Sequence, residues 1–221
     1  MGGKTILKPI HKRFLETVNK ENYITKHYYW TGGTVLSEFY LHHRDSQDID
    51  LFIEDREVFL PPIASFMEKF RRQTKAKRLA HETFLGLESF EFEYTDIALK
   101  VDFNYYPFLR IDKGKKWKNI EIDSILDIAV NKVHTIYMKP RTRDYIDLFF
   151  IMKTQKYSLE YLIKQAKAKF DWHIDPIQLG YKFMLAFKKQ DFPKMLIPFN
   201  QKEMETFFLK LAKSLEGEIF K

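Results

Sequence analysis

Cysteine is missing from all 221 residues, which excludes disulfides, a thiol nucleophile and cysteine-based zinc sites. Glycine and proline are scarce at eight each, and no repeat, low-complexity tract or Gly/Ser linker breaks the chain. No run is long or apolar enough to span a bilayer, and the leading MGGKTILKPIHKRFLE lacks the apolar centre of a signal peptide. Ile6 also stands where myristoylation requires Ser or Thr. The resulting expectation is a cytoplasmic protein with no membrane association. Neither a Gly-x4-Gly-Lys-Ser/Thr phosphate loop nor a Gly-x-Ser-x-Gly elbow occurs, which removes two common enzyme classes.

What is present suits a globular chain: 45% hydrophobic and 16% aromatic residues, ample for a core at this length. The formal charge of +7 fits a polyanionic partner such as a nucleotide or nucleic acid, and fits solvated lysine equally well. The basic runs RRQTKAKR and KGKKWKN could track a phosphate backbone, although single charge runs are more often solvated faces.

Periodicity divides the chain in two. Residues 7–20 carry apolar positions at helical spacing, HYYWT reads as a short strand, and Thr34 can cap the helix after it. DIDLFIE is the next strand, residues 62–77 a helix, and 78–106 a set of strands turning at LGLE and YTD. Beyond residue 122 every periodic segment is helical: 123–138, 142–154, 158–170, 175–189 and 201–216. Asp123, Ser158 and Asp175-Pro176 suit helix starts. The fold expected is α+β, a mixed sheet with flanking helices over residues 1–122 followed by a helical bundle over 123–221.

The stretch TGGTVLSEFYLHHRDSQDIDLF concentrates the chemistry. Asp48 and Asp50 are two apart in the expected strand, so both carboxylates project to one face while Ile49 and Leu51 face the core. Like charges that close repel unless a cation neutralises them, and Mg²⁺ (or Mn²⁺) with substrate phosphates is the matching partner. Taken alone, a D-x-D is more often a pair of solvated aspartates. Gly32, Gly33 and Thr34 immediately upstream alter that reading. Glycine admits a phosphate close to the backbone, and a helix start offers unpaired N–H groups.

This stretch resembles the first motif of the DNA polymerase β-type nucleotidyltransferase superfamily. Within it, Gly-Gly-Thr, HRDS (His43 to Ser46) and D-I-D-L-F in that order resemble the AbiEii/AbiGii and MenT-type toxin branch. The resemblance implies a third carboxylate on a neighbouring strand, for which LKVDFNYYPF offers Asp102. It also covers DIAVNK, with Asp127 and Lys132, and RTRDYIDLFFI, with Arg141, Arg143, Asp144 and Asp147. It runs strongly over residues 28–152 and fades beyond them.

What it implies is a nucleotidyltransferase-type sheet and an NTP-using toxin of a toxin–antitoxin or abortive-infection pair, with a cognate antitoxin protein and an RNA acceptor such as the tRNA 3′ end. Asp48, Asp50 and Asp102 would hold the metal, with Lys132 completing the catalytic set. Gly32, Gly33, Thr34, Lys132, Arg143, Asp144 and Asp147 would bind the nucleotide. On their own, Asp144 reads as helix-start stabilisation and Arg143 as an i,i+4 partner of Asp147. Small-molecule nucleotidyl transfer, a nucleotide-binding regulatory module without turnover and a D-x-D glycosyltransferase remain as alternatives. His42 and His43 lack partners at metal-ligand spacing, so structural or phosphate roles suit them better.

Overall fold

The computed structural model describes residues 5–188 and 191–216. The chain forms two units: one takes the residues up to Tyr40, Ser46–Leu109 and Lys113–Ser124, the other Leu41–Asp45, Arg110–Asp112 and everything from Ile125 on.

In the first unit, helices α1 (Pro9–Val18) and α2 (Asn22–His27) precede strand β1 (Tyr29–Thr31). A short helix α3 (Gly32–Val35) then runs directly into a π-helical segment, Leu36–Leu41. Strand β2 (Ile49–Ile53), helix α4 (Leu60–Thr74) and strands β3 (Arg78–Phe84), β4 (Leu87–Glu93), β5 (Ala98–Tyr105), β6 (Lys116–Trp117) and β7 (Ile120–Ile122) follow. Among the described residues the strands make one seven-stranded sheet in the order β3-β4-β5-β2-β1-β7-β6. It is mixed: β2 pairs parallel with β5 and β1 with β7, while β1 pairs antiparallel with β2.

The strict alternation of β2 buries Ile49, Leu51 and Ile53 and leaves Asp50 and Phe52 on the other face. The apolar face belongs to an aromatic core, in which the Phe14 ring of α1 meets Phe66 and Phe70 of α4 at 5.8 and 5.1 Å and Phe70 meets Phe92 of β4 at 5.3 Å. Since that core occupies one side of the sheet, the alternating polar residues of β2, β5 and β4 are left on the opposite side.

The second unit contains α5 (Ile125–Met138), α6 (Thr142–Gln155), α7 (Leu159–Phe170), α8 (Pro176–Met184), a 3₁₀ turn (Leu185–Lys188) and α9 (Gln201–Ser214). Ser158 and Asp175 cap α7 and α8 as expected, accepting from the N–H groups of Tyr161 and Gln178. Tyr145, Phe183 and Phe208 join α6, α8 and α9, with ring centroids 5.1 and 5.4 Å apart.

Several local expectations are corrected. Thr34 does not cap α3; Thr31 holds the N-cap position and gives its hydroxyl to Asp123 at 2.5 Å instead. Asp123 thus braces β1 and also accepts the Ser124 N–H at 3.1 Å, two residues before α5 begins. The basic KGKKWKN stretch contributes β6 and the turn into β7, because β7 finds an open edge on β1 that no local pattern announces. The helix expected over 175–189 gives way to a 3₁₀ turn after Met184, and position 189 lies outside the described residues.

Candidate functional site

Parallel pairing of β2 with β5 sets Asp50 directly beside Asp102, and antiparallel pairing of β1 with β2 sets Thr31 opposite Asp50. Asp48 stands one residue ahead of β2, so the expected placement of both aspartates inside the strand holds for Asp50 alone. The carboxylate of Asp102 accepts from Ser89 at 2.6 Å, a residue that β4 places opposite it in register. Its other oxygen lies 3.0 Å from Nζ of Lys100. Burial works against that ammonium, but the hydrogen bond to Asp102 and the charges of Asp102, Asp48 and Asp50 raise its pKa above the ordinary lysine value. All three aspartates thus act on one cation. No three acidic or imidazole groups among the described residues are gathered tightly enough to cage an ion by themselves.

Gly32 lies against Asp50. Its φ is +85°, and a Cβ built on it would lie 2.2 Å from Oδ2 of Asp50. The glycine therefore permits both a left-handed turn and direct contact between the backbone and the carboxylate. Gly32→Ala is expected to cost about 1–2 kcal/mol through the left-handed φ. It should also lower transfer by roughly a hundredfold by displacing Asp50, as a shift of about 1 Å can do. Thermal melting and pyrophosphate release read the two effects separately, and an alanine variant with full activity would show that the contact is incidental. Gly33 is half-buried in the same turn. Thr34 is fully buried, and its hydroxyl donates to Ser46 at 2.9 Å, so it shapes the turn from within.

In the helical unit the remaining motif residues converge on Asp147. This carboxylate is fully buried and accepts from Nε and Nη2 of Arg44 at 2.6 and 2.9 Å and from Nε2 of His43 at 2.8 Å. Lys132 places Nζ 2.7 Å from Asp147 and 2.7 Å from Asp144. Asp144 also caps its own helix start, accepting from the Arg141 N–H at 3.0 Å and pairing with the Arg141 guanidinium at 3.2 Å. Asp147 is thus held by Arg44, His43 and Lys132. His43, Arg44, Lys132, Asp144 and Asp147 form one buried ion network. Asp127 has a separate duty, accepting the N–H groups of Ile111 and Asp112 at 2.8 and 3.0 Å and the Lys169 ammonium at 2.7 Å.

Burial tends to raise the Asp147 carboxyl, but the charges of Lys132 and Arg44 and the hydrogen bonds of Arg44 and His43 hold it well below the usual carboxylate range. Asp144 is lowered in the same way: burial opposes, and Lys132 and Arg141 prevail. His43 is lowered by burial, which outweighs its bond to Asp147, and His134 is lowered by burial too. Both histidines bind protons more readily in the unfolded chain, so stability is whole above the ordinary histidine value of 6.5 and declines as pH falls below it. The two aspartates add a second loss as pH falls below their ordinary value of 3.8. Melting temperature is therefore expected to fall in two stages on acidification; a rise between pH 7 and 5 would contradict the histidine assignment.

Sequence reasoning missed Lys100 and Ser89. The first was legible, since K-x-D puts lysine and aspartate on one strand face. The second required the register of β4.

A family profile described as nucleotidyl transferase AbiEii toxin, type IV toxin–antitoxin system, matches residues 13–216. No curated protein sequence matches the chain. In fold the protein is similar to JHP933 from Helicobacter pylori, at 15% identity and TM-score 0.57 over 94% of this chain and 91% of that one. It is likewise similar to a candidate nucleotidyltransferase from H. pylori, at 15% identity and TM-score 0.58 over 94% of both. Mixed sheet, helical unit, motif order and a profile spanning nearly the whole chain agree, and the chain belongs to the AbiEii family of nucleotidyltransferase toxins.

Proposed function

We propose that the protein transfers a nucleotidyl group from an NTP to a hydroxyl of an RNA acceptor, the tRNA 3′ end being the form that its resemblance to MenT-type toxins favours. The acceptor oxygen would bond to the α-phosphorus, the bond to the β-phosphate oxygen would break, and pyrophosphate would leave. The observation that carries this reading is the side-by-side placement of Asp50 and Asp102 on the sheet face away from the aromatic core, with Gly32 against Asp50.

Magnesium or manganese is the ion this reading calls for. The chemistry of the donors fits: Asp50 and Asp102 are hard oxygen ligands side by side in register, with Asp48 just ahead of β2 and a protein ammonium 3.0 Å from Asp102, and substrate phosphates would complete a shell the three carboxylates do not close alone. Asp48, Asp50 and Asp102 would hold the ion, which when bound would supply charge neutralisation and alignment of the attacking and leaving oxygens. Asp102, which accepts from Ser89, would also take the acceptor hydroxyl proton. Gly32 and Gly33 would offer backbone N–H groups to phosphate, while Thr34 supports the turn through Ser46. In the helical unit Asp144 and Asp147 would orient Lys132 toward a phosphate, with Arg143 beside them in sequence. The toxin–antitoxin setting of the family implies a cognate antitoxin. Among the described residues no helix is long and apolar enough to cross a membrane.

The test is incubation of the purified protein with each α-labelled NTP and total cellular RNA, with and without a chelator. Metal-dependent label on RNA, abolished when the RNA 3′ end is blocked, is the expected result. Equal labelling of blocked RNA would remove the 3′ hydroxyl as acceptor, and label on small molecules alone would favour the antibiotic-type reaction.

A further inference from the structure

Where the helical unit joins α5 to α6, an open cavity of about 620 Å³ is lined by Lys139, Arg141, Lys188 and Asp191, with Thr135 and Thr142 at its wall. Among the described residues three basic side chains and one acid line it. Lys139, Arg141 and Lys188 are all exposed, so their charges meet solvent or a ligand. Thr142 is the first residue of α6, a 14-residue helix whose start is already capped by the Asp144 carboxylate, so the basic side chains and not the helix end supply the positive charge at this wall. The Arg141 guanidinium uses Nε on Asp144 at 3.2 Å, which fixes the orientation of its planar fork.

The two basic runs of the α/β unit contrast with this. Arg71 and Arg72 both bond Glu68, at 2.7 and 2.9 Å, Lys115 lies over the Tyr40 ring at 4.8 Å, and Lys116 is 3.8 Å from Glu121. Those charges are met by neighbours in the same unit, which matches a solvated face. The excess positive charge of the chain has a concave outlet at Lys139, Arg141 and Lys188.

We propose that this cavity is a phosphate-binding subsite, taking the phosphate groups of an RNA strand or of a nucleotide. It rests on the nucleotidyltransferase reading only for the source of the phosphate. Lysine supplies point charges and arginine a fork matched to paired phosphate oxygens, the combination that suits a phosphodiester or polyphosphate better than a carboxylate peptide.

The test uses the full chain carrying Lys139→Glu with Lys188→Glu; Arg141 is left in place because it pairs with Asp144. Both sites are exposed, and an unchanged melting temperature, with Lys139→Gln/Lys188→Gln as a second variant, guards against misfolding. Two probes are titrated: inorganic tripolyphosphate by calorimetry, and a short fluorescein-labelled single-stranded RNA by anisotropy over a salt series. Charge reversal is expected to weaken binding roughly tenfold or more and to make the RNA log–log salt slope shallower by about 1.4, two phosphates at about 0.7 each. The glutamine pair should give a smaller loss in the same direction. Loss on the RNA arm alone assigns the subsite to strand phosphates, and loss on tripolyphosphate alone assigns it to the NTP. Unchanged affinity and slope on both arms, or no binding of either probe by the parent protein, overturns the proposal. Because binding is read without turnover, a chain that transfers nothing yet loses phosphate binding in the variant would sink the transfer reading and keep the subsite.

Discussion

Replacing Asp50 with alanine is expected to reduce nucleotidyl transfer by about a thousandfold, the upper end of the scale seen when a preorganised charge-stabilising group is removed. The melting temperature should hold or rise slightly. Asp50 is the central member of a like-charged set, beside Asp102 on β5 and two residues from Asp48, so its removal relieves repulsion on that sheet face. Its backbone pairing with Thr31 and Asp102 does not depend on the side chain. Asp102→Ala should abolish transfer as fully but with a thermal cost, since Ser89 and Lys100 both lose their partner. Pyrophosphate release from labelled NTP and growth inhibition on expression measure the first effect, and calorimetry the second. An Asp50→Ala protein that keeps metal-dependent turnover would end the carboxylate-site reading.

The second large effect belongs to Lys132. Truncation to alanine leaves Asp144 and Asp147 buried with one cation fewer, and breaking such a pair from one side typically costs about 3–5 kcal/mol. A fall in melting temperature is therefore expected alongside the loss of activity. A phosphate contact, if Lys132 makes one, would add roughly two orders of magnitude in NTP use. Lys132→Met with Asp144→Asn separates the two contributions. Removing one charge of each sign should restore part of the stability, because Arg44 still neutralises Asp147. If activity returns with stability, Lys132 is a structural residue. Activity that stays low in the restabilised protein assigns it to phosphate.

Much of this architecture follows from local pattern. The alternation of Ile49, Asp50, Leu51, Phe52 and Ile53 dictates a strand with one polar face, and the apolar spacing beyond residue 122 dictates helices. Gly32 announces a turn that a side chain would spoil, and its φ of +85° agrees. The Ser158 and Asp175 caps are equally local, since each side chain bonds an N–H three residues ahead. Contacts of that range are written in neighbouring residues, so spacing alone reveals them.

The rest depends on which distant segments meet. That Asp102 lies beside Asp50, and Ser89 beside Asp102, follows from strand register, which hydrophobic pairing over the whole sheet selects. The π-helical form of Leu36–Leu41 and the pairing of β7 with β1 have no local signature for the same reason. Nothing around His43 and Arg44 in the sequence names their partner; Asp147, more than a hundred residues later, is found fully buried between them and Lys132. A buried carboxylate must be paired with charge or pay several kcal/mol in desolvation, and the partners it takes are those the fold delivers, not those its sequence neighbours offer. Residue types and their order along the chain were therefore enough to place this protein among nucleotidyltransferases, while which carboxylates meet across the sheet and which are locked into the ion network of the helical unit is decided by strand register and burial, which no single segment encodes.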